Sequence, residues 1–456
     1  MANQKKHDKP NIILCMTDDQ GWKDTSYSGH PELKTPNLDQ MSKDGVRFSR
    51  WYSAAPVCSP TRGSCLTGRH PYRYGIFHAN EGHLPPEELN LAEVLKKRGY
   101  RTGHFGKWHL GTLSKVVREA NRGGPRCAEH YSPPWKNGFD TCFSTESKVP
   151  TWDPMLIPEG WEVEGARKPG QAFGTYYWTG PGRISVENLE GDDSRVLMDR
   201  GLSFIREAVQ EEEPFLAVIW FHSPHAPVVG GPKYRDMYSE FPPGKQHYYG
   251  CLTAMDEQIG RLRRELNELG VGNNTMLWFC SDNGPEEEGA VRGKGRGGHQ
   301  QGQTGPFRGR KRDLYEGGIR VPGLLVWPNE IERNTTVEAP CVTSDYFPTI
   351  LEVLDISPDR QPKPIDGVDL MPLVKGKVKE RSSPIGFEFE DKLAWTDDRY
   401  KLVREKGEFE LFDLLKDPSE SEDLSEEKPK VFSKMKTELK KWRSSCEDSR
   451  KKISYL

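Results

Sequence analysis

Three pairs of polar residues, each placed just after an apolar run, supply the first chemistry in this sequence. Asp18-Asp19 follows Asn11-Ile-Ile-Leu-Cys-Met16, His222 and His225 follow Phe215-Leu-Ala-Val-Ile-Trp-Phe221, and Asp282-Asn283 follows Thr275-Met-Leu-Trp-Phe-Cys280. Carboxylate and amide oxygens brought together from two such ends would make a site for a hard cation, Ca²⁺ or Mg²⁺ rather than a soft metal. Each pair also has a plainer reading, because Asp-Asp before Gln-Gly and Asp-Asn-Gly are common turn sequences. A fourth stretch is Cys58-Ser59-Pro60-Thr61-Arg62. Pro60 suits the first turn of a helix, which puts Cys58 at the N-terminus, where backbone amides point at an anion. Arg62 lies four residues on, about one turn, and can reach back to the same spot. The plainer reading is a buried thiol with an unrelated arginine.

The elements that must position these groups are strands followed by helices. The three apolar runs are short and continuous, as expected of strands buried on both faces of a parallel sheet. Leu89–Arg98 reads as a helix closed by Gly99, and 246–269 as a longer one. In the longer one, Leu252, Met255, Ile259, Leu262, Leu266 and Leu269 step by three and four along one stripe. Strands alternating with helices predict an α/β fold: a large, mixed but mainly parallel sheet sandwiched by helices. In such sheets ligands sit outside the carboxyl ends of the strands, where the polar pairs fall. After about residue 380 the pattern changes to short strands and a charged helix near 428–443, predicting a small C-terminal antiparallel sheet plus helix. The expected division is 1–375 and 376–456.

Composition narrows the function classes. The chain has 456 residues, 65 basic and 68 acidic, for a net charge of -3. No global field therefore favours nucleic acid or a membrane surface. No run of about 18 apolar residues offers a membrane-spanning helix. The nine cysteines are odd in number and scattered, which excludes a complete disulfide framework and CxxC-type metal spacing.

Taken together the motifs resemble those of the type I, formylglycine-dependent sulfatases. Cys58-Ser-Pro-Thr-Arg62, with Thr67-Gly-Arg69 after it, is similar to the family's signature. Asp18-Asp19-Gln-Gly resembles its first metal motif, and Gly106-Lys107-Trp108-His109-Leu110-Gly111 its second signature. Ser223-Pro-His225-Ala-Pro227 resembles its substrate-histidine loop, and Ser281-Asp282-Asn283-Gly284 its second metal pair. Lys311, before Tyr315-Glu316-Gly317-Gly318, resembles its last active-site lysine. One departure is visible: the usual Gly-Lys-Gly-Thr-Thr is Arg310-Lys311-Arg312-Asp313-Leu314 here.

The resemblance implies the alkaline-phosphatase-like fold and hydrolysis of sulfate esters, on this reading those of sulfated carbohydrates, with release of sulfate and an alcohol. It implies conversion of Cys58 to formylglycine by a maturation enzyme. It also implies one Ca²⁺ held by Asp18, Asp19, Asp282, Asn283 and the converted Cys58. One hydroxyl of the hydrated aldehyde attacks sulfur, and loss of a proton from the other then expels sulfate. Arg62 and Lys107 would hold the diol and the sulfate oxygens. His109 would accept the second hydroxyl's proton, and His225 and Lys311 would serve the leaving oxygen. His222 falls at the same strand end but outside the matching motif, so a supporting position is expected. The alternative is a phosphomonoesterase or phosphodiesterase of the same superfamily, which would place Ser or Thr at the nucleophile and add ligands for two Zn²⁺.

Two regions stay open. The Gly-rich stretch 286–312 carries Arg292, Lys294, Arg296, His299, Arg308, Arg310 and Arg312; it reads as a mobile loop beside the site adding charge toward an anionic polymer, in preference to an RGG-like nucleic-acid arm, or as a solvated insertion. Trp135, Trp152, Tyr176, Tyr177 and Trp178, in the long 120–185 segment, could stack on sugar rings or pack the insertion. The expected partners are a sulfated small molecule or saccharide and the maturation enzyme, with no nucleic acid and no membrane. The family resemblance points to a periplasmic or secreted protein. Residues 1–10 show no signal peptide, so the expectation becomes cytoplasmic if Met1 is the native start.

Overall fold

The structure, a computed structural model, describes residues 9–119, 122–161, 168–287, 299–358 and 360–453. Its centre is five parallel strands: β1 (Asn11–Thr17), β2 (Arg101–Lys107), β3 (Thr141–Thr145), β4 (Phe215–Trp220) and β5 (Thr275–Ser281), side by side in the order β5-β1-β4-β2-β3. Antiparallel Gly323–Val326 extends the sheet beside β5, followed by Val46–Phe48 and Thr335–Val337. Trp178–Gly180 and Arg183–Ile184 extend it beyond β3, giving ten strands.

Every residue of β1, β4 and β5 is buried, which is why these strands read as unbroken apolar runs. Alternate residues feed two cores. Ile12, Leu14, Met16, Val218, Trp220 and Trp278 face one side, packed with Cys65 and Leu66 of helix α1 (Cys58–Thr67). Ile13, Cys15, Ala217, Ile219 and Phe279 face the other, packed against α2 (Asp193–Gln210) and α3 (Pro243–Glu268). The predicted stripe of α3 is buried there from Leu252 to Leu266. At about 1.5–3 kcal/mol per fully buried large apolar side chain, these two layers fix the register of the strands between them.

The register aligns the strand ends. Thr17 pairs with Ser281, Met16 with Trp220, and Lys107 with Thr145. Gly106 opposes Trp220, and a Cβ there would overlap the Trp220 carbonyl oxygen, so only glycine allows β2 to approach β4 so closely before Lys107.

The C-terminal part is a four-stranded antiparallel meander, Ile385–Phe389, Lys392–Thr396, Tyr400–Arg404 and Glu410–Asp413, covered on one face by α4 (Pro429–Ile453) through Met435 and Leu439. Its other face places Phe387, Val403 and Phe412 in one core with Val57 and Leu314. The small sheet thus buttresses the segments that carry Cys58 and Lys311. Among the described residues no helix is long and apolar enough to cross a membrane.

Candidate active site

Helix α1 starts at Cys58. Its N-cap, Val57, is extended and offers no capping side chain, Pro60 occupies the first turn as expected, and Gly68 ends the helix in the left-handed region at φ 71°. All ten residues of the helix are buried. The uncapped amides of the first turn are therefore directed at the protein's own interior pocket.

The strand ends bring the predicted residues to that same place. Asp18 and Asp19 follow β1, Lys107 ends β2 with His109 two residues on, His225 follows β4, and Asp282 and Asn283 follow β5. Single ligand atoms of Asp18, Asp19, Cys58 and His225 all lie within 4.8 Å of one another. Cys58 Sγ is 3.5 Å from Asp18 Oδ1. Lys107 Nζ donates to Asp18 Oδ2 at 2.6 Å. Arg62 donates to Asp282 Oδ2 from Nη2 at 2.6 Å and from Nε at 3.1 Å, and from Nη1 to the Lys107 carbonyl at 3.1 Å. Lys311 Nζ reaches both oxygens of Asp19, at 2.5 and 2.7 Å. Asn283 Nδ2 donates to Asp19 Oδ1 at 2.7 Å. Three buried carboxylates thus face three buried cations.

Burial opposes the Asp18 charge, yet Lys107, His225, Arg62 and Lys311 together hold its carboxyl well below the usual range. Burial and the Asp18 charge push Asp282 up to about 7. Burial pushes the Cys58 thiol up to about 12, so at neutral pH it stands as a thiol and not as a nucleophilic thiolate. Both histidines are pushed down by burial, His225 to about 4 and His109 well below its ordinary value. Neutral His109 donates from Nε2 to Asn80 Oδ1 at 2.8 Å, which leaves its buried Nδ1 as an acceptor without a partner. Asp19 and His109 sit in the left-handed region, at φ 67° and 57°, a strain that recurs at functional sites.

Asp19, Cys58, Lys107, His109, His225 and Lys311 line a pocket of about 230 Å³, together with Asn80, Ser147, Lys148, Trp161, Glu286, Gln300 and Arg312, while Asp18, Arg62, Asp282 and Asn283 stand behind that lining. A larger groove of about 610 Å³ beside Leu33, Lys34 and Met237 gathers no comparable set, so volume alone does not locate the chemistry. The donor set fits a hard cation. Beside the carboxylates of Asp18, Asp19 and Asp282 stands Asn283, held by Asp19 through Nδ2, and its buried Oδ1 has no hydrogen-bond partner among the described residues.

His222 is not in the pocket lining. It is fully buried, with Nδ1 2.8 Å from Asp193 and Nε2 2.7 Å from Thr145, so it ties the ends of β3 and β4 to α2. The departure around Lys311 does not shorten its reach. Arg310 donates to the carbonyls of Glu286 and Gly302, and Arg312 pairs with Glu286 at 2.5 and 2.7 Å, so ion pairs hold the segment where the family has glycines. Arg308 stays exposed but is tied down, onto the Glu420 carbonyl and the Tyr315 ring. His299 stacks on His247 with ring centroids 4.3 Å apart. Arg292, Lys294 and Arg296 lie outside the described residues. Of the aromatics, Tyr177 and Trp178 belong to the two cores, Trp135 and Tyr176 pack against one of them, and Trp152 backs Gly231. The aromatic that lines the pocket is Trp161, and with Lys148 it is what sequence reasoning passed over. A recognised β3 would have flagged Lys148, since it follows that strand's carboxyl end.

A mainly parallel sheet between helices, with a metal-ready oxygen set at its strand ends, defines an α/β protein of the alkaline-phosphatase-like fold. Within that class the chain belongs to the sulfatase family, whose profile it matches over residues 10–356. Residues 302–445 match the C-terminal region of N-sulphoglucosamine sulphohydrolase. The chain is 30% identical over 391 residues to N-acetylgalactosamine-6-sulfatase of Rattus norvegicus, covering 82% of this chain and 67% of that protein. It is also 30% identical over 446 residues to steryl-sulfatase of the same organism, covering 83% and 73%. Among solved structures, Ps i-CgsB in complex with k-i-k-neocarrahexaose superimposes with a TM-score of 0.79 over 95% of this chain and 93% of that one, at 24% identity, which shows the shared fold. The protein is a sulfuric ester hydrolase.

Proposed function

We propose that this pocket hydrolyses the sulfate ester of a carbohydrate, using Cys58 converted to formylglycine and one Ca²⁺ held by Asp18, Asp19, Asp282 and Asn283. The observation that carries the reading is the meeting of Cys58 with an oxygen-rich, cation-ringed cluster within 4.8 Å. The bound ion would supply charge against sulfate oxygens, and the hydrated aldehyde at position 58 a nucleophilic oxygen. The side chains do the rest. Arg62, locked on Asp282, and Lys107, locked on Asp18, present fixed positive charge without reorganising. His109 takes up a proton at Nδ1. Lys311, kept cationic by Asp19 against the effect of burial, offers its N–H to the leaving oxygen, with His225 beside it.

The names of the relatives include one acting on an aminosugar sulfate and one on a steryl sulfate. The pocket favours the sugar, because Asn80, Ser147, Lys148, Gln300 and Arg312 give it a hydrogen-bonding wall. A two-zinc phosphoesterase would need more His and Asp ligands, and among the described residues the one cluster that could hold a metal is that of Asp18, Asp19, Cys58 and His225. Residues 1–375 would form the catalytic unit and 376–456 the buttressing subdomain. Tryptic mass spectrometry of active protein tests the reading: the Cys58 peptide should be about 18 Da lighter than its sequence mass. Full activity with an unmodified peptide would overturn it.

A further inference from the structure

Lys148 is a cation that the reaction described above does not use. It follows the end of β3, the neighbour of β2, so it stands one strand further from β1 and β5 than Lys107 does. The three cations of the floor, Arg62, Lys107 and Lys311, each hold a carboxylate within 2.5 to 2.7 Å. Lys148 does not: its ammonium lies over the ring of Trp161, 5.3 Å from the centroid, and among the described residues no carboxylate comes within ion-pair distance of it. Trp161 is in turn packed with Ile157 and Phe173, with Ala226 of the His225 loop against them. Among the described residues, Lys148 is thus the cation of the pocket lining that has no carboxylate of its own.

Building on the sulfated-carbohydrate reading, we propose that Lys148 and Trp161 form a specificity subsite for a second anionic group, a sulfate or carboxylate, on the sugar whose ester is cleaved. The part of Trp161 that reaches the pocket, 8% of its surface, supplies an apolar edge for the sugar, and the ammonium it holds supplies a charge-assisted hydrogen bond. Burial, reinforced by Lys107 and Lys311, pushes Lys148 down to about 8, so an incoming anion would meet an ammonium with an unmet need for a counter-charge.

The test compares matched sugars on the full chain. Binding to Cys58→Ser protein is measured by calorimetry with N-acetylglucosamine 6-sulfate, glucosamine 2-N,6-O-disulfate, galactose 6-sulfate and galactose 2,6-disulfate, with galactose 2-sulfate and galacturonic acid 2-sulfate as the carboxylate arm. In each of these doubly charged sugars the second anion should tighten binding about tenfold or more over the singly charged partner. Lys148→Gln should erase that difference and Lys148→Arg retain most of it, whereas Trp161→Ala should weaken singly and doubly charged sugars alike. In turnover by otherwise wild-type enzyme, Lys148→Gln should raise KM for the doubly charged sugar far more than it lowers kcat on 4-nitrophenyl sulfate. Equal affinities for matched sugars, failure of all of them to bind, or an equal loss on 4-nitrophenyl sulfate would each overturn the assignment. Loss of the formylglycine reading itself would show as turnover by Cys58→Ser protein, a result independent of the calorimetric ratio.

Discussion

Two buried charge clusters in this molecule resemble each other until their surroundings are compared. One is the pocket floor. The other joins the C-terminal sheet to the main one: Lys401 Nζ meets Glu316 at 2.9 Å and Glu420 at 2.8 Å, Arg320 meets Glu316 at 3.2 Å, and Tyr52 donates to Glu316 at 2.9 Å. Two cations there face two carboxylates, all four buried. The floor is balanced as well, but it opens on a cavity and leaves Asn283 Oδ1 and His109 Nδ1 unpartnered. Burial and perturbed acidity are thus common to both clusters, and it is the open volume beside the floor that distinguishes the candidate site. The Lys401 cluster joins two sheets and the floor waits for ligands.

The comparison can be broken by substitution. Cys58→Ala should abolish hydrolysis of 4-nitrophenyl sulfate, by about 10³-fold or more, while leaving the melting temperature near that of the parent. Lys401→Met should do the reverse, costing roughly 3–5 kcal/mol in denaturant titrations by stranding Glu316 and Glu420, with kcat per folded molecule preserved. Equal effects on activity and stability in both variants would erase the distinction drawn here. Chelation with EGTA should remove activity, and Ca²⁺ but not Zn²⁺ should restore it, without a comparable loss of helical circular dichroism.

A smaller effect concerns pH. His70, at the seam between α4 and the main sheet, is pushed by burial from 6.5 to about 4, and its Nε2 has no partner. Because the folded state holds this ring neutral, the unfolded chain binds the extra proton first. Stability from this group is complete above pH 6.5 and is lost as pH falls toward 4, a contribution of about 3 kcal/mol. His70→Asn should flatten that part of the stability–pH curve. The least effect is expected at Lys233, whose exposed pair with Glu257 should be worth under about 1 kcal/mol when cut to Ala.

Strands β1, β4 and β5 were legible because burial on both faces demands continuous apolar residues. β2 and β3 were not, since Arg-Thr-Gly-His-Phe-Gly-Lys and Thr-Cys-Phe-Ser-Thr are polar by composition. Polar side chains pair between these strands, as His104 Nδ1 does with Ser144 at 2.7 Å, and no local pattern announces such a pairing. That gap hid Lys148. The aromatics of the 120–185 segment illustrate the converse: composition made several of them plausible sugar platforms, and packing left only Trp161 at the pocket.

What the sequence determined alone is the chemistry available: a cysteine at a helix start, hard oxygens and histidines at strand ends, and the ordered motifs of a sulfatase. It also excluded a disulfide framework, and all nine cysteines are free in the structure. What only tertiary structure decided is which of these groups meet. Asp18 and Asp282 share Arg62 because β1 and β5 pair in parallel with Thr17 opposite Ser281. Lys311 reaches Asp19 because ion pairs to Glu286 replace glycine turns. Side-chain identity is local, but proximity across hundreds of residues is set by sheet register and the two cores that hold it.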